Sequence, residues 1–235
     1  MKTNAFVQQA FDEGLLPVCD MHIPGIWKVG GITGGGNVGH AYGVNGTDEA
    51  SITKAMVEQR RLLVSYQNYF SKYIDGYKNA KLISTAEMLG IRASRRIIGD
   101  HVLDVEDYKA RAVFEDEIGR YCYPVDIHPA SPDKDAYEKF LKEYHEEFRY
   151  KPGESYGIPY RSLIPKGLAN VYMAGRCISA DNYVQASVRV MPGCYITGQA
   201  AGTAAALAAS AGVNTRDVDV KALRAKLRQN GAYLP

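Results

Sequence analysis

Leu168-Ala169-Asn170-Val171-Tyr172-Met173-Ala174-Gly175-Arg176, followed by Ala186-Ser187-Val188-Arg189-Val190-Met191-Pro192-Gly193-Cys194 and then Gly198-Gln199-Ala200-Ala201-Gly202-Thr203-Ala204-Ala205-Ala206, carries the architecture of this chain. The apolar run Asn170 to Gly175 predicts a buried strand ending in Ala-Gly, which would bring the backbone to the carboxyl edge of a sheet, where open α/β folds bind ligands. Gly175 permits close backbone approach at that edge. Pro192 stands where a helix can begin, and the alanine-rich run predicts a helix over Met191–Ala211. The start of such a helix offers N–H groups and a partial positive charge to an electron-rich group. Gly198, Ala201, Gly202, Ala205 and Ala208 recur at three- and four-residue spacing, a face of small residues that would let the helix pack closely. Spacing alone does not separate a ligand-binding helix from one that is simply buried.

Working outward, Asp219 to Asn230 predicts a closing helix ended by Gly231, and Tyr150–Gly157 predicts a crossing between two regions. Toward the N-terminus, Ser131 to Phe148 predicts a helix with Ser131 as cap and Pro132 in its first turn, and Asp104 to Gly119 another. Lys81–Thr85 is a candidate strand. Asn45-Gly46-Thr47-Asp48 supplies a turn and a cap, after which Ile52, Met56, Leu62, Leu63, Tyr66, Phe70 and Tyr73 follow helical spacing until Gly76. From Val18 to Val44 the chain predicts short strands, Ile26–Val29 and Val38–Val44, with Gly30-Gly31 and Gly34-Gly35-Gly36 as turns.

The 235 residues, 46% hydrophobic and 23% charged, suffice for a folded core. With 28 basic and 26 acidic side chains interspersed, the net charge of +2 gathers no single-sign field, which argues against a nucleic-acid or membrane-surface partner. Cys19, Cys122, Cys177 and Cys194 form no CxxC pair or Cys/His ligand set, so no metal site is expected and the thiols fit a reducing, cytoplasmic setting. The N-terminal stretch passes from Met1 and Lys2 into polar Gln8, Gln9 and Asp12 without an apolar signal core. Val188–Ala211 is apolar, but Pro192, Gln199, Thr203, Ser210 and three glycines interrupt it, so a packed internal helix is expected there.

The segment from Ile158-Pro159-Tyr160-Arg161-Ser162-Leu163-Ile164-Pro165 through Ala174-Gly175-Arg176-Cys177-Ile178-Ser179, Ala186–Pro192 and Gly198–Ala206 resembles the C-terminal flavin-binding signature of the FAD-dependent oxidoreductases related to fumarate reductase and thiazole-synthesis flavoproteins. Ile83 to Gly99 and Tyr123-Pro124-Val125-Asp126-Ile127-His128 resemble the middle region of the same family, in order. The resemblance implies an α/β flavoprotein: residues 1–150 as an α+β substrate or cap region, and residues 151–235 as the C-terminal part of a Rossmann-type FAD-binding domain. It implies FAD as cofactor, with Gly175 and Arg176 by the ribityl and pyrophosphate side and Arg189, Val190, Met191, Gly193 and Cys194 by the isoalloxazine. Many flavoproteins have an acidic residue after the glycine of the strand end, and this chain has Arg176.

The largest departure concerns the ADP half of the cofactor. Gly34-Gly35-Gly36-Asn37-Val38-Gly39 matches GxGxxG literally, but His40-Ala41-Tyr42-Gly43-Val44-Asn45-Gly46 after it cannot form the helix that a dinucleotide fingerprint needs. A partner chain with a Rossmann FAD-binding unit is therefore expected, and the chain becomes the C-terminal part or subunit of an oxidoreductase moving hydride between a small-molecule substrate and flavin. A non-catalytic assembly module and a truncated gene product remain as alternatives.

Arg95 and Arg161 are candidates to clamp a carboxylate or other anion, since a guanidinium fork suits bidentate recognition. Arg92 and Arg96 in the same run are candidates for the same role, set against surface solvation or an interdomain ion pair, which their setting favours. His128, between Val125–Ile127 and Pro129, is a candidate proton donor or acceptor set against a hydrogen-bonded structural role. His40 lies in a glycine-rich stretch with no fixed orientation. Cys194 stands where a helix dipole can lower a thiol pKa, with plain packing as the competing explanation.

Overall fold

Helices with short strands between them make up the computed structural model, which describes residues 4–23 and 26–234. In chain order the elements are α1 (Val7–Asp12), β1 (Ile26–Lys28), β2 (Gly34–Gly36), α2 (Glu49–Tyr73), α3 (Val105–Ala110), β3 (Glu117–Tyr121), α4 (Lys134–Lys142), β4 (Tyr156–Pro159), α5 (Asn182–Val188), α6 (Met191–Ala211) and α7 (Val220–Gln229). The fold is mixed α/β. Residues 1–91 with 128–141 form one unit, and residues 92–127 with 142–235 the other. The chain thus passes between units three times, at Ile91, Ile127 and Leu141, rather than once near Tyr150. Residues 1–3 of the polar N-terminal stretch, and residues 24 and 25 within the expected Val18–Val44 strand region, lie outside the described residues.

In the first unit α2 forms where its apolar spacing predicted. The Asp48 side chain caps it by accepting from the Ser51 N–H at 2.8 Å, and Gly76, at φ 86°, lies just past its end. Tyr66, Tyr69 and Phe70 of α2 pack with Val7, Ala10, Leu16, Ile23 and Ile74. The glycine run expected as a turn is strand β2, antiparallel to β1. Bare backbone is required there: a Cβ at Gly34 would stand 2.9 Å from Ile26 Cγ2, and one at Gly35 3.2 Å from the Trp27 indole. Two expected strands are absent. Val38–Val44 is interrupted by positive φ at Gly39 and Gly43, and Lys81–Thr85 is irregular, with Leu82 and Ile83 exposed.

In the second unit the helix expected over Asp104–Gly119 is cut short. The Asp104 side chain caps α3 through the Glu106 and Asp107 N–H groups, but Arg111 turns left-handed at φ 54° and ends it. The chain then extends into β3, whose partner is β4, with a bulge between Glu117 and Gly119. The helix expected over Ser131–Phe148 begins only at Lys134 and passes into a π turn at Glu143–Glu147. Helices α6 and α7 match their expected bounds closely. Gly212 closes α6 at φ 64°, and the Asp219 side chain caps α7 through Lys221 and Ala222.

The buried strand expected over Asn170–Gly175 does not form. Asn170 sits at φ 58°, Val171 is exposed, and the segment is held not by a strand ladder but by single bonds, such as the Met173 N–H to the Leu163 carbonyl at 2.9 Å and the Tyr172 hydroxyl to that of Tyr160 at 2.6 Å. Both sheets among the described residues are antiparallel pairs, so the parallel sheet of a Rossmann-type domain is not assembled there. The face of α6 turned inward also differs from expectation: Gly193, Thr197, Ala200, Ala201, Ala204 and Ala208 are buried, while Gly198, Gly202 and Ala205 are exposed. No helix among the described residues is long and apolar enough to cross a membrane.

Candidate functional site

The second unit gathers most of the expected flavin residues around the start of α6. Gly175, at φ 67°, opens a short 3-10 turn, Gly175–Cys177, and its N–H donates to Thr197 Oγ1 at 2.9 Å. Thr197 Oγ1 in turn donates back to the Gly193 and Cys194 carbonyls, at 3.0 and 3.1 Å, which ties the turn to α6. A Cβ on Gly175 would meet Cys194 Sγ at an ordinary 3.6 Å, so the glycine is required by its left-handed backbone rather than by crowding.

No side chain caps α6 at Val190. Of its first turn, Met191 is exposed, whereas Gly193 is buried with its N–H against the Tyr121 hydroxyl. Gly193 is therefore a packing position, and Val190 and Met191 are what the helix start presents outward. Cys194 Sγ donates to the Arg189 carbonyl at 3.1 Å, and burial raises the thiol pKa although the Arg176 charge opposes it. The dipole-lowered thiol weighed from sequence is reversed by desolvation.

Beside this turn lies a cleft of about 320 Å³ lined by Arg92, Ser94, Arg95, Ala174, Arg176 and Cys177. Its charge is positive. Arg189 donates to the Asp126 carbonyl at 2.8 Å, and the Asp126 carboxylate lies 3.9 Å from Arg189 and 3.7 Å from Arg92. Burial first, then repulsion from Arg92, lowers the Arg189 pKa, and Asp126 opposes this. Arg92 Nη1 is a buried nitrogen with no hydrogen-bond acceptor among the described residues. Buried donors left unmatched are costly, and an anion entering the cleft would supply the missing acceptor. Of the arginines in this run, Arg95 is exposed, and Arg92 pairs with Asp126 while holding the buried donor.

Arg161 stands elsewhere in the same unit, in a cleft it shares with Asp100, Asp116, Tyr160 and Arg216. It donates to Asp116 through Nε at 2.9 Å and Nη2 at 3.3 Å, so its fork is already matched by a carboxylate. Arg216 grips Asp100 in the same two-pronged way, at 2.7 and 3.0 Å.

A family model described as FAD dependent oxidoreductase matches residues 7–227 of the chain. The chain belongs to the FAD-dependent oxidoreductase family. Neither the curated proteins nor the solved structures hold a match to it. FAD is the cofactor of this family, and the residues present fit part of it. The Arg92–Arg95–Arg176 cleft, with its buried unmatched donor and the left-handed Gly175 beside it, suits the anionic or electron-rich portion of a flavin nucleotide. The glycine-rich stretch Gly34–Gly36 is a strand and does not supply a phosphate-cradling turn.

His128, the remaining candidate, lies in the first unit, where Nδ1 stands 2.8 Å from His40 Nε2 and its ring is 4.3 Å from that of His22. His22 was not legible as a site residue. The local signal available was Asp20-Met21-His22, a turn in which Asp20 Oδ1 accepts the His22 N–H at 3.0 Å, but nothing in the spacing of residues 22, 40 and 128 indicates that they meet.

Proposed function

We propose that this oxidoreductase chain binds the flavin end of FAD at the Gly175–Cys194 turn and transfers hydride between a small-molecule substrate and the flavin. The observation that carries the reading is the buried Arg92 Nη1 in a cleft with Arg95 and Arg176, next to the uncapped start of α6. Bound flavin supplies reversible acceptance of two electrons and a proton. Arg92 and Arg176 orient it by charge and hydrogen bonding, and Val190 and Met191 form the backbone edge beside it. Arg95, exposed at the rim, is placed to engage an anionic substrate; the Asp116 pairing of Arg161 leaves a clamping role there without support.

The ADP half of the cofactor is assigned to a Rossmann unit on a partner chain. Two features favour such a partner. The Asn170–Gly175 segment has a strand's composition but no neighbouring strand to bond. The outer face of α6 is open: a Cβ at Gly198 or Gly202 would meet nothing within 4 Å. Strand and helix face would both be completed by a sheet supplied from outside these residues.

Flavin retention after desalting tests this. The chain alone is expected to lose FAD, and the chain co-expressed with its partner to stay yellow; tight retention by the chain alone would refute the divided cofactor site. Arg92→Met in the reconstituted protein is expected to weaken FAD binding by about 10- to 100-fold, since a hydrogen bond to a charged group contributes about 1.5–3 kcal/mol. A titration by flavin fluorescence showing unchanged affinity would remove Arg92 from the site.

A further inference from the structure

The first unit holds three imidazoles that no flavin role absorbs, and each reaches its place by a separate route. His22 follows the Asp20 turn. His40 comes directly after Gly39, whose φ of 82° and tight clearance from α2, 2.9 Å from a built Cβ to Gln59 Oε1, leave no room for a side chain. Gln59 on α2 then donates to the His40 carbonyl at 2.8 Å. His128 enters from the segment leading to α4. The ring centroids are 4.3 Å apart for His22 and His128, 4.9 Å for His40 and His128, and 5.3 Å for His22 and His40. One nitrogen from each ring can be chosen so that all lie within 4.8 Å of one another.

We propose that His22, His40 and His128 form a binding site for a divalent transition-metal ion of the zinc class, with Asp20 as the carboxylate that orients it. Asp20 is 3% exposed and faces His40 Nδ1 at 2.7 Å. That contact holds the proton on Nδ1 and turns the Nε2 lone pair inward, the arrangement by which a carboxylate prepares an imidazole ligand. The same carboxylate accepts the His22 N–H and is bonded to the Tyr42 hydroxyl, so its position is held from several sides.

The rings of Phe140, 5.1 Å from His22 and 5.5 Å from His128, and of Tyr137, 5.9 Å from His22, wall the cluster with apolar surface. His40 Nε2 and His128 Nδ1 stand 2.8 Å apart, within hydrogen-bond distance. Two zinc–nitrogen bonds of about 2.0–2.1 Å at a tetrahedral angle place nitrogens roughly 3.3 Å apart. An ion between these two nitrogens therefore needs the rings to part by about 0.5 Å, which small side-chain rotations supply. Three nitrogen donors favour zinc, cobalt, nickel or copper over calcium or magnesium, and leave a fourth position for water. His128 is then a metal ligand rather than a proton donor to substrate.

The test uses the full chain, stripped with chelator and titrated with Zn2+ by equilibrium dialysis and with Co2+ by visible absorption. One ion per chain and the intense visible bands of tetrahedral Co2+ are expected. His22→Ala, His40→Ala and His128→Ala should each lose both signals, and Asp20→Asn should weaken affinity by about 10- to 100-fold while leaving stoichiometry intact. His101→Gln and His145→Gln, outside the cluster, should match the parent. Absence of one-to-one binding in the parent overturns the site without recourse to any variant. Equal retention by the three alanine variants would also overturn it. Should those variants unfold, a rise in parent Tm with Zn2+ that Asp20→Asn diminishes supports the site, and no rise refutes it.

Discussion

Arg120→Met is expected to destabilise the second unit by about 3–5 kcal/mol, the cost of removing one partner from a buried ion pair. The Glu117 side chain is 2% exposed and that of Arg120 9%, with Arg120 Nη1 2.9 Å from Glu117 Oε2. Arg120 also donates to Ser155 Oγ at 2.8 Å, to the Ser155 carbonyl at 2.6 Å and to the Arg111 carbonyl at 3.5 Å, so its loss leaves these acceptors and the buried Glu117 carboxylate without their donor. Gly157 has no room to relieve Glu117, since a Cβ there would stand 2.4 Å from the same carboxylate oxygen. The consequence reaches the flavin end. Across β3 from this pair, Gly119 lies against Ile196 of α6, and Tyr121 meets the Gly193 N–H. Shifting β3 therefore shifts the first turn of α6. Urea unfolding of parent and variant measures the loss, and Glu117→Gln combined with Arg120→Met should recover part of it, because the stranded charge is gone. A double variant no more stable than Arg120→Met alone would show that the cost lies in the lost Ser155 contacts and not in the buried carboxylate.

Long helices were legible in the sequence because their signals were local and redundant. Asp48 and Asp219 act as caps, Gly212 closes α6, and the Tyr66–Tyr69–Phe70 stripe of α2 is buried. Elements that depend on distant neighbours were not legible. The helical pattern over Asp104–Gly119 breaks where Arg111 turns left-handed, and Glu117–Tyr121 becomes a strand because Tyr156–Pro159 pairs with it. Gly34–Gly36 carries no strand propensity and extends against Ile26 and Trp27, beside which a Cβ at Gly34 or Gly35 would be crowded. Asn170–Gly175 shows the reverse case, strand composition without a partner to pair with.

The site divides along the same line. Gly175 and Arg176 lie in a 3-10 turn tied to α6 by Thr197 rather than at the end of a buried strand. Arg92 pairs with Asp126, as one of its two sequence readings had it, but the burial of its single guanidinium nitrogen depends on Asp126 and Arg189, far along the chain from any helical or strand period. The histidine cluster is assembled from turns, and turns at residues 22, 40 and 128 leave no common spacing to detect.

Gly193→Ala is expected to cost about 3 kcal/mol or more, although alanine is the stronger helix former by about 1 kcal/mol. A Cβ at this position would stand 2.2 Å from the Val188 carbonyl oxygen, 3.0 Å from its carbon and 3.2 Å from its Cα. These are backbone atoms of the corner joining α5 to α6, so no side-chain rotation relieves the contact. The corner must open, which moves Val190 and Met191 away from the Gly175 turn and loosens the flavin end. Gly198→Ala, one and a half turns along the same helix, is the contrasting case. Nothing lies within 4 Å of its built Cβ, and the substitution should stabilise the isolated chain by up to about 1 kcal/mol. Thermal unfolding of the two variants separates packing from propensity, and a Gly193→Ala chain with an unchanged Tm would refute the closed corner. The outer face can be probed with the same helix. Gly198→Leu should leave the isolated chain folded, yet it should weaken association with the proposed Rossmann-bearing partner if that partner's sheet packs on the open stripe of Gly198, Gly202 and Ala205. Association unchanged by leucine would place the partner on another surface.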